Sequence, residues 1–342
     1  MRSGFLPARV VHVHPTRACN LACAHCYSES APGIDDALDV ERLIDLLARL
    51  REEGYEIVSV SGGEPLVYRP LDRLVDAAVE LGFRVHMITN GLLLSERRLA
   101  ALAGKLFLVG VSLDGSEETH NSVRGRPDAF RKAIRGLTTL SKSDTPFAVI
   151  YAVTAHSLAD IPWAFQTARD LGARLLHLRP LVREGRARSL TDDWSLSAED
   201  CSRLYVLAQL LSACGTGPRI QVDLVPVEEL AEARAQFALL DPAARVANVS
   251  DAINPIVVDA SGRCFPFAYG IDSRYELPLS IEDPHSPIAF DSEPWPSIVS
   301  LLDSALEASS IEGGEYVDWF AHLTRLSHRP SAVQQRTSRQ AS

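Results

Sequence analysis

The sequence has no window approaching the ~18 consecutive apolar residues that a membrane-spanning helix needs. From Met1 to Pro15 the apolar runs are short and broken by Arg9, His12 and His14. Neither a membrane span nor a secretory signal is therefore expected, and the expected location is the cytoplasm. Basic charge is in deficit, with 34 Lys and Arg against 44 Asp and Glu for a net charge of −10. That removes the long-range attraction on which nucleic-acid or anionic-membrane binding depends. Cysteine is scarce, six in 342 residues, which is too few for a disulfide scaffold in a chain of this length. Three of the six crowd between Cys19 and Cys26, a pattern that points to a metal in a reducing compartment.

What is present reads as an α/β protein. The 46% apolar fraction is ample for a core, and the length predicts one large barrel with a smaller appendage. Runs rich in Val, Ile and Leu predict strands at Val10–His14, Ile57–Ser61, Arg84–Thr89, Phe107–Ser112, Phe147–Val153 and Arg174–Arg179. Helical patterns lie between and after them, at Asp39–Glu53, Leu71–Leu81, Ser95–Ala103, Asp128–Ser141, Leu158–Leu171 and Ala198–Ala213. Six such units predict a partial (β/α)6 barrel over residues 8–215, with helices outside and functional residues in the loops after the strands. Residues 216–327 read as a small α+β extension. It has a strand at Arg219–Val225, a helix at Val227–Leu240, a strand–turn–strand from Pro255 to Phe267, a proline-rich loop, and helices at Leu301–Ala308 and Glu315–Leu326. Residues 328–342, almost without apolar side chains, are expected to be disordered.

Three cysteines spaced four and three apart, on a loop after the first strand, suit three irons of a cubane cluster. A [4Fe–4S] cluster normally takes four thiolates, so this set leaves one iron open to a ligand from outside the protein. A structural zinc would want a fourth Cys or His in a short ribbon-like frame, and His25, inside the motif, is badly placed to serve. After the second strand comes Ser61-Gly62-Gly63-Glu64-Pro65. Two glycines let backbone approach a ligand closely, and a carboxylate accepts from an ammonium. Taken alone, the segment is a turn. The third strand ends in Thr89-Asn90-Gly91. The fourth ends in Ser112-Leu113-Asp114-Gly115, followed by His120 and Arg124-Gly125, and Asp114-Gly115 reads equally well as a plain turn.

Cys19-x3-Cys23-x2-Cys26 together with Gly62-Gly63-Glu64 resembles the radical S-adenosylmethionine (SAM) superfamily, over about residues 8–215. The resemblance implies one [4Fe–4S] cluster on Cys19, Cys23 and Cys26, with SAM on the open iron. Electron transfer then breaks the sulfonium C–S bond, and a 5′-deoxyadenosyl radical abstracts hydrogen from substrate. It also implies the SAM contacts. The His25 backbone meets the adenine, Gly62, Gly63 and Glu64 hold the amino group, and Asn90 lies at the next strand end. Ser112 and Asp114 sit at the ribose, Val153 is near the adenine, and Arg179 pairs with the SAM carboxylate or serves as a structural ion-pair residue. An external donor such as flavodoxin or ferredoxin supplies the electron.

The nearest branch by these motifs, with Gly185-Arg186-Ala187 as a further echo, contains the anaerobic sulfatase-maturing enzymes and the maturases of pyrroloquinoline quinone and mycofactocin. Members carry a SPASM or twitch domain with auxiliary clusters, and Ile256–Phe267 resembles its opening hairpin. Five residues on from Gly262, however, stands Phe267 in place of cysteine, and no cysteine lies between Cys214 and Cys264 or after Cys264. Cys201 and Cys214 fall at opposite ends of one predicted helix, about 20 Å apart by helix rise. The extension is therefore expected to be degenerate, its auxiliary cluster lost. Three functions stay open. The first is chemistry on a small molecule such as a nucleoside- or sugar-type natural-product intermediate. The second is cross-linking or epimerisation of a ribosomally made peptide, against which a barrel starting near Ala8 leaves no room for a leader-binding module. The third is non-enzymatic SAM or iron sensing, disfavoured by a motif set that is a catalyst's. His12, His14, His86 and His177 are either substrate-facing or satisfied interior histidines, and Tyr269, Asp272 and Arg274 after the hairpin have no assigned role.

Overall fold

The computed structural model describes residues 8–233, 238–240, 246–311 and 314–329. Seven parallel strands follow one another in the sheet: β1 (Val10–Val13), β2 (Ile57–Val60), β3 (Arg84–Thr89), β4 (Leu106–Ser112), β5 (Phe147–Val153), β6 (Leu175–Pro180) and β7 (Arg219–Val222). The connections carry α1 (Val40–Glu52), α2 (Leu71–Glu80), α3 (Glu96–Ala101), α4 (Glu117–Arg124), α5 (Ala129–Ser141), α6 (Ile161–Leu171) and α7 (Ala198–Ala213). Local chemistry sets these boundaries. The Asp39 and Ser95 side chains accept the N–H groups of Arg42 and Arg98, capping α1 and α3. Gly172 ends α6 in a left-handed conformation.

Alternation along the strands divides the sheet into two faces. Val11, Val13, Val58, Val60, Val85, Met87, Val109, Val111, Val149 and Leu176 are buried against the helices. The other face turns into the barrel and mixes polar with apolar side chains. The strand register puts His12 beside Ser59, Ser59 beside His86, Ser112 beside Ile150, and Ile150 beside His177.

The sheet is larger than six strands. Arg219–Val222 joins β6 in parallel, so the boundary expected at residue 215 has strands of one sheet on both sides. Past β8 (Val225–Pro226), α8 (Val227–Ala233) and α9 (Val249–Ala252), the hairpin of β9 (Ile256–Val258) and β10 (Cys264–Pro266) attaches to the other edge, β9 running parallel to β1. An uncovered β1 would expose unpaired backbone beside the cysteine loop; the hairpin removes that edge. α10 (Trp295–Ile311), β11 (Tyr316–Val317), which pairs with β8, and α11 (Trp319–Ser327) complete the extension. Of the predicted helix at 227–240, residues 234–237 lie outside the described residues, as do 330–342 of the expected disordered tail. Among the described residues no helix is long and apolar enough to cross a membrane.

Candidate active site

The loop leaving β1 carries Cys19, Cys23 and Cys26, all free thiols, in one small apolar patch with Leu21 and Leu92. Other elements fix the loop's backbone. Ala18 C=O accepts the Glu64 N–H at 3.0 Å, and Thr16 C=O the Gly63 N–H at 2.8 Å. Arg186 reaches in from beyond β6, its Nε donating to the Cys23 carbonyl at 2.9 Å and its Nη2 to the Ser30 carbonyl at 2.7 Å. Asn90 Nδ2 donates to Asn20 Oδ1 at 2.7 Å and lies 3.9 Å from Cys19 Sγ. Burial pushes the Cys19 thiol up to about 12 and raises Cys23 as well, each sensing the neighbouring thiols. Bound iron reverses that, because a coordinating thiol is deprotonated. Among the described residues no three His, Cys, Asp or Glu side chains converge on a single ion. A cluster that takes one thiolate per iron needs no common centre, and an all-thiol donor set is what iron–sulfur clusters select. The residues fit the group.

The two glycines after β2 serve the loop directly. Gly62 adopts φ 94°, and a Cβ on Gly63 would lie 2.1 Å from the Ala18 carbonyl oxygen. The close approach that requires glycine is thus to the chain's own backbone, one residue before Cys19. Glu64 departs from its expected role. Its carboxylate is 1% exposed and accepts from Leu66 N at 3.1 Å, Thr89 Oγ1 at 2.6 Å and Asn90 N at 2.9 Å. Burial raises its pKa and these donors pull it back. Glu64 therefore ties the β2 loop to the end of β3, a positioning role in place of an open acceptor for an ammonium. In Glu64→Gln one oxygen becomes a non-accepting NH2 and at least one buried donor loses its partner, which costs about 1–3 kcal/mol. We expect a lowered melting temperature and weakened SAM binding together, with Thr89→Val reproducing part of both. A normal melting temperature with weakened SAM binding would return Glu64 to direct contact.

Two further residues expected at SAM are turned elsewhere. Asp114, 2% exposed, accepts Arg124 Nε at 2.6 Å and Ala152 N at 3.3 Å, so its carboxylate is tied to α4 and β5. Burial alone would raise its carboxyl, but Arg124, His25 and His120 hold it well below the usual range. His25 Nε2 lies 3.8 Å from Asp114 Oδ2, and burial lowers its pKa to about 4, so the ring is neutral. Val153 is fully buried in the helix-side core, and its carbonyl accepts Leu181 N. Ser112 does face the barrel interior, beside Ile150.

Deeper inside, β6, β7 and the loop after β7 assemble a charged wall. Asp223 accepts from Arg179 Nε at 3.0 Å and pairs with His177 Nε2 at 2.6 Å. Burial would raise Asp223, but His177 and Arg179 hold it low. Asp318, the N-cap of α11, faces the same pair, and burial pushes it up to about 7, with Asp223 adding to the effect. Burial lowers His12 and His14 to about 3, with Arg179 adding, so both are neutral at pH 7. His14 packs on Tyr27 and Tyr269, with ring centroids 5.6 and 4.8 Å away. Tyr269, beyond the hairpin, thereby meets the end of the cysteine loop. Cys201 and Cys214 sit at the two ends of α7, and Cys264 is buried in β10.

Residues 13–166 match the family model of the Radical SAM superfamily. The chain carries a radical SAM domain. Among curated relatives, the AdoMet-dependent heme synthase of Methanosarcina barkeri is 33% identical over 181 residues, 52% of this chain and 52% of that protein. The mycofactocin maturase MftC of Mycolicibacterium smegmatis is 33% identical over 195 residues, 56% and 49% of the two chains. The chain thus spans about half the length of the curated relatives it matches. Native anSMEcpe with bound AdoMet and the Cp18Cys peptide shares the fold, with a TM-score of 0.63 at 19% identity, covering 95% of this chain and 92% of that one. That coverage extends the structural likeness beyond the radical SAM domain into the C-terminal extension. The superfamily's cofactors are a [4Fe–4S] cluster and SAM, and Cys19, Cys23 and Cys26 lie together on the braced loop.

Proposed function

We propose that this chain is a radical SAM enzyme that abstracts hydrogen from a small-molecule or peptide substrate bound inside the barrel. The observation that carries this reading is the loop of three free thiols, seated on Gly62 and Gly63 at the C-terminal end of a parallel sheet. Cys19, Cys23 and Cys26 would hold the cluster. The backbone of Gly62 and Gly63 and the interior face at Ser112 would receive SAM. When bound, the cluster and SAM supply one-electron reduction of the sulfonium and a 5′-deoxyadenosyl radical, the electron coming from a low-potential flavodoxin or ferredoxin.

Within the charged wall, Arg179 is the group that an anionic part of a substrate would meet. Arg179 is 51% exposed, spends Nε on Asp223, and has no other hydrogen bond among the described residues, so its terminal nitrogens are available to a carboxylate. Neutral His12 and His14 line the same interior without competing for that charge. A peptide substrate is the second reading, supported by the likeness to a mycofactocin maturase. Both heme synthases and a peptide maturase stand among the relatives, so the substrate class is tested after the chemistry. Anaerobic reconstitution should give about four irons per chain, and the reduced protein should cleave SAM to 5′-deoxyadenosine and methionine. SAM binding without cleavage, in protein that holds its iron, would instead favour a sensor.

A further inference from the structure

Two charged side chains from outside its own loop, Arg124 and Asp114, act on Cys23, and Arg124 donates to its sulfur. α4 ends against the cysteine loop: Ala24 N–H donates to the Val123 carbonyl at 2.9 Å, and the next residue, Arg124, places Nη1 3.8 Å from Cys23 Sγ. The same guanidinium donates from Nε to Asp114 Oδ2 at 2.6 Å, with Arg124 11% and Asp114 2% exposed. His120 Nδ1 accepts the Asp114 N–H at 3.1 Å, which fixes Asp114 from behind. Arg124 is the cation of this group and Asp114 its anion. The pair is oriented with its positive end on the sulfur. Arg186, the other arginine at the loop, spends its guanidinium on backbone carbonyls of Cys23 and Ser30.

A buried guanidinium is a costly way to hold a loop that backbone bonds already hold. Its geometry suits an electronic task, because hydrogen bonds to the ligand sulfurs and nearby charge set iron–sulfur potentials. We propose that Arg124, aimed by Asp114, sets the reduction potential of the cluster that Cys23 helps to hold, making it easier to reduce. The inference rests on the reading of Cys19, Cys23 and Cys26 as cluster ligands. The step concerned takes one electron from a low-potential flavin or iron–sulfur donor to the oxidised cluster, with no bond made or broken. Arg124 lowers the free energy of the reduced state by facing the added charge with a fixed positive one. Asp114 keeps the guanidinium in place and limits the gain.

The test is an equilibrium redox titration of the anaerobically reconstituted chain without SAM or substrate, followed by electron paramagnetic resonance of the reduced cluster and by iron content. Arg124→Gln strands the Asp114 carboxylate and can misfold, so the deciding variant is Arg124→Gln/Asp114→Asn, which removes both charges and keeps similar shapes. We expect the double variant to retain its iron and to be harder to reduce by at least tenfold in the equilibrium constant, about 59 mV lower for a one-electron couple. Arg124→Lys, which retains the charge, should stay within a few-fold of the wild type. An unshifted potential in the double variant would overturn the proposal, as would loss of iron from it while the fold is intact, which would make Arg124 purely structural. A wild-type chain that takes up no cluster would instead overturn the underlying reading.

Discussion

Replacing Cys19, Cys23 or Cys26 by alanine should abolish both cluster uptake and SAM cleavage, whereas Cys201→Ala, Cys214→Ala and Cys264→Ala should leave both intact. The first three share one patch. The last three are scattered, two at opposite ends of α7 and one inside β10. On the proposed reading each loop cysteine would serve a different iron, so no remaining thiolate could compensate for a lost one. Cys264 is fully buried and its removal leaves a small void, so that variant should lose about 1 kcal/mol of stability without losing iron. Iron content and 5′-deoxyadenosine yield, measured on the six variants side by side, check this. Iron lost from any of the second three, with the fold retained, would reveal a second cluster and a wild-type content near eight irons.

The second large effect is steric. In Gly63→Ala the new methyl would meet the Ala18 carbonyl oxygen at 2.1 Å and the carbonyl carbons of Arg17 and Ala18 at 2.9 Å. These are backbone atoms with no rotamer to change, so one of two chain segments must move. The Gly63 N–H to Thr16 and Glu64 N–H to Ala18 bonds are lost with that movement. Overpacking of this kind costs about 1–3 kcal/mol or more. The displaced segment runs straight into Cys19, so we expect most of the iron-binding capacity to go while the helical content persists. Iron content and circular dichroism on the same sample decide it. Full iron loading in Gly63→Ala would show that the β2 turn and the cysteine loop are independent.

The six βα units were legible because parallel strands buried on the helix side carry dense Val, Ile and Leu, and most boundaries fall within about two residues of the observed ones. α4 was not legible. Its eight residues, Glu117–Arg124, bury only His120 and Val123, so there is no apolar stripe to detect. Of the two pairings that enlarge the sheet, β7 on β6 continues the βα series past the expected boundary, and β9 on β1 joins segments far apart in the chain, Val11 against Ile256; periodicity carries no information about partners. Within the site, residue type announced the cysteine loop and the glycines, where only one chemistry or one size fits. Direction was the hidden variable. A carboxylate after two glycines reads as a ligand for an ammonium, yet Thr89 Oγ1 and Asn90 N, some 25 positions on, occupy Glu64 instead. Asp114 was misread for the same reason, its partner Arg124 being recognisable only once α4 is in place. Arg186 had a signal, since it lies in the Gly185-Arg186-Ala187 echo, but nothing local tells that its guanidinium crosses to the cysteine loop.

The position of β9 also bears on the order of assembly. β1 lies between β2 and β9, and His14 N–H, five residues before Cys19, donates to the Val258 carbonyl at 2.9 Å. The strand that launches the cysteine loop therefore acquires one of its two neighbours only once Ile256–Val258 has been made. Domains fold as units, N-terminal parts first, during synthesis at roughly 5–20 residues per second, but this sheet cannot be finished in that order. For more than ten seconds on the ribosome the loop has a strand on one side and solvent on the other. A nascent chain in that interval holds three thiols on an unsupported edge, and the final seating of the cysteine loop waits for β9.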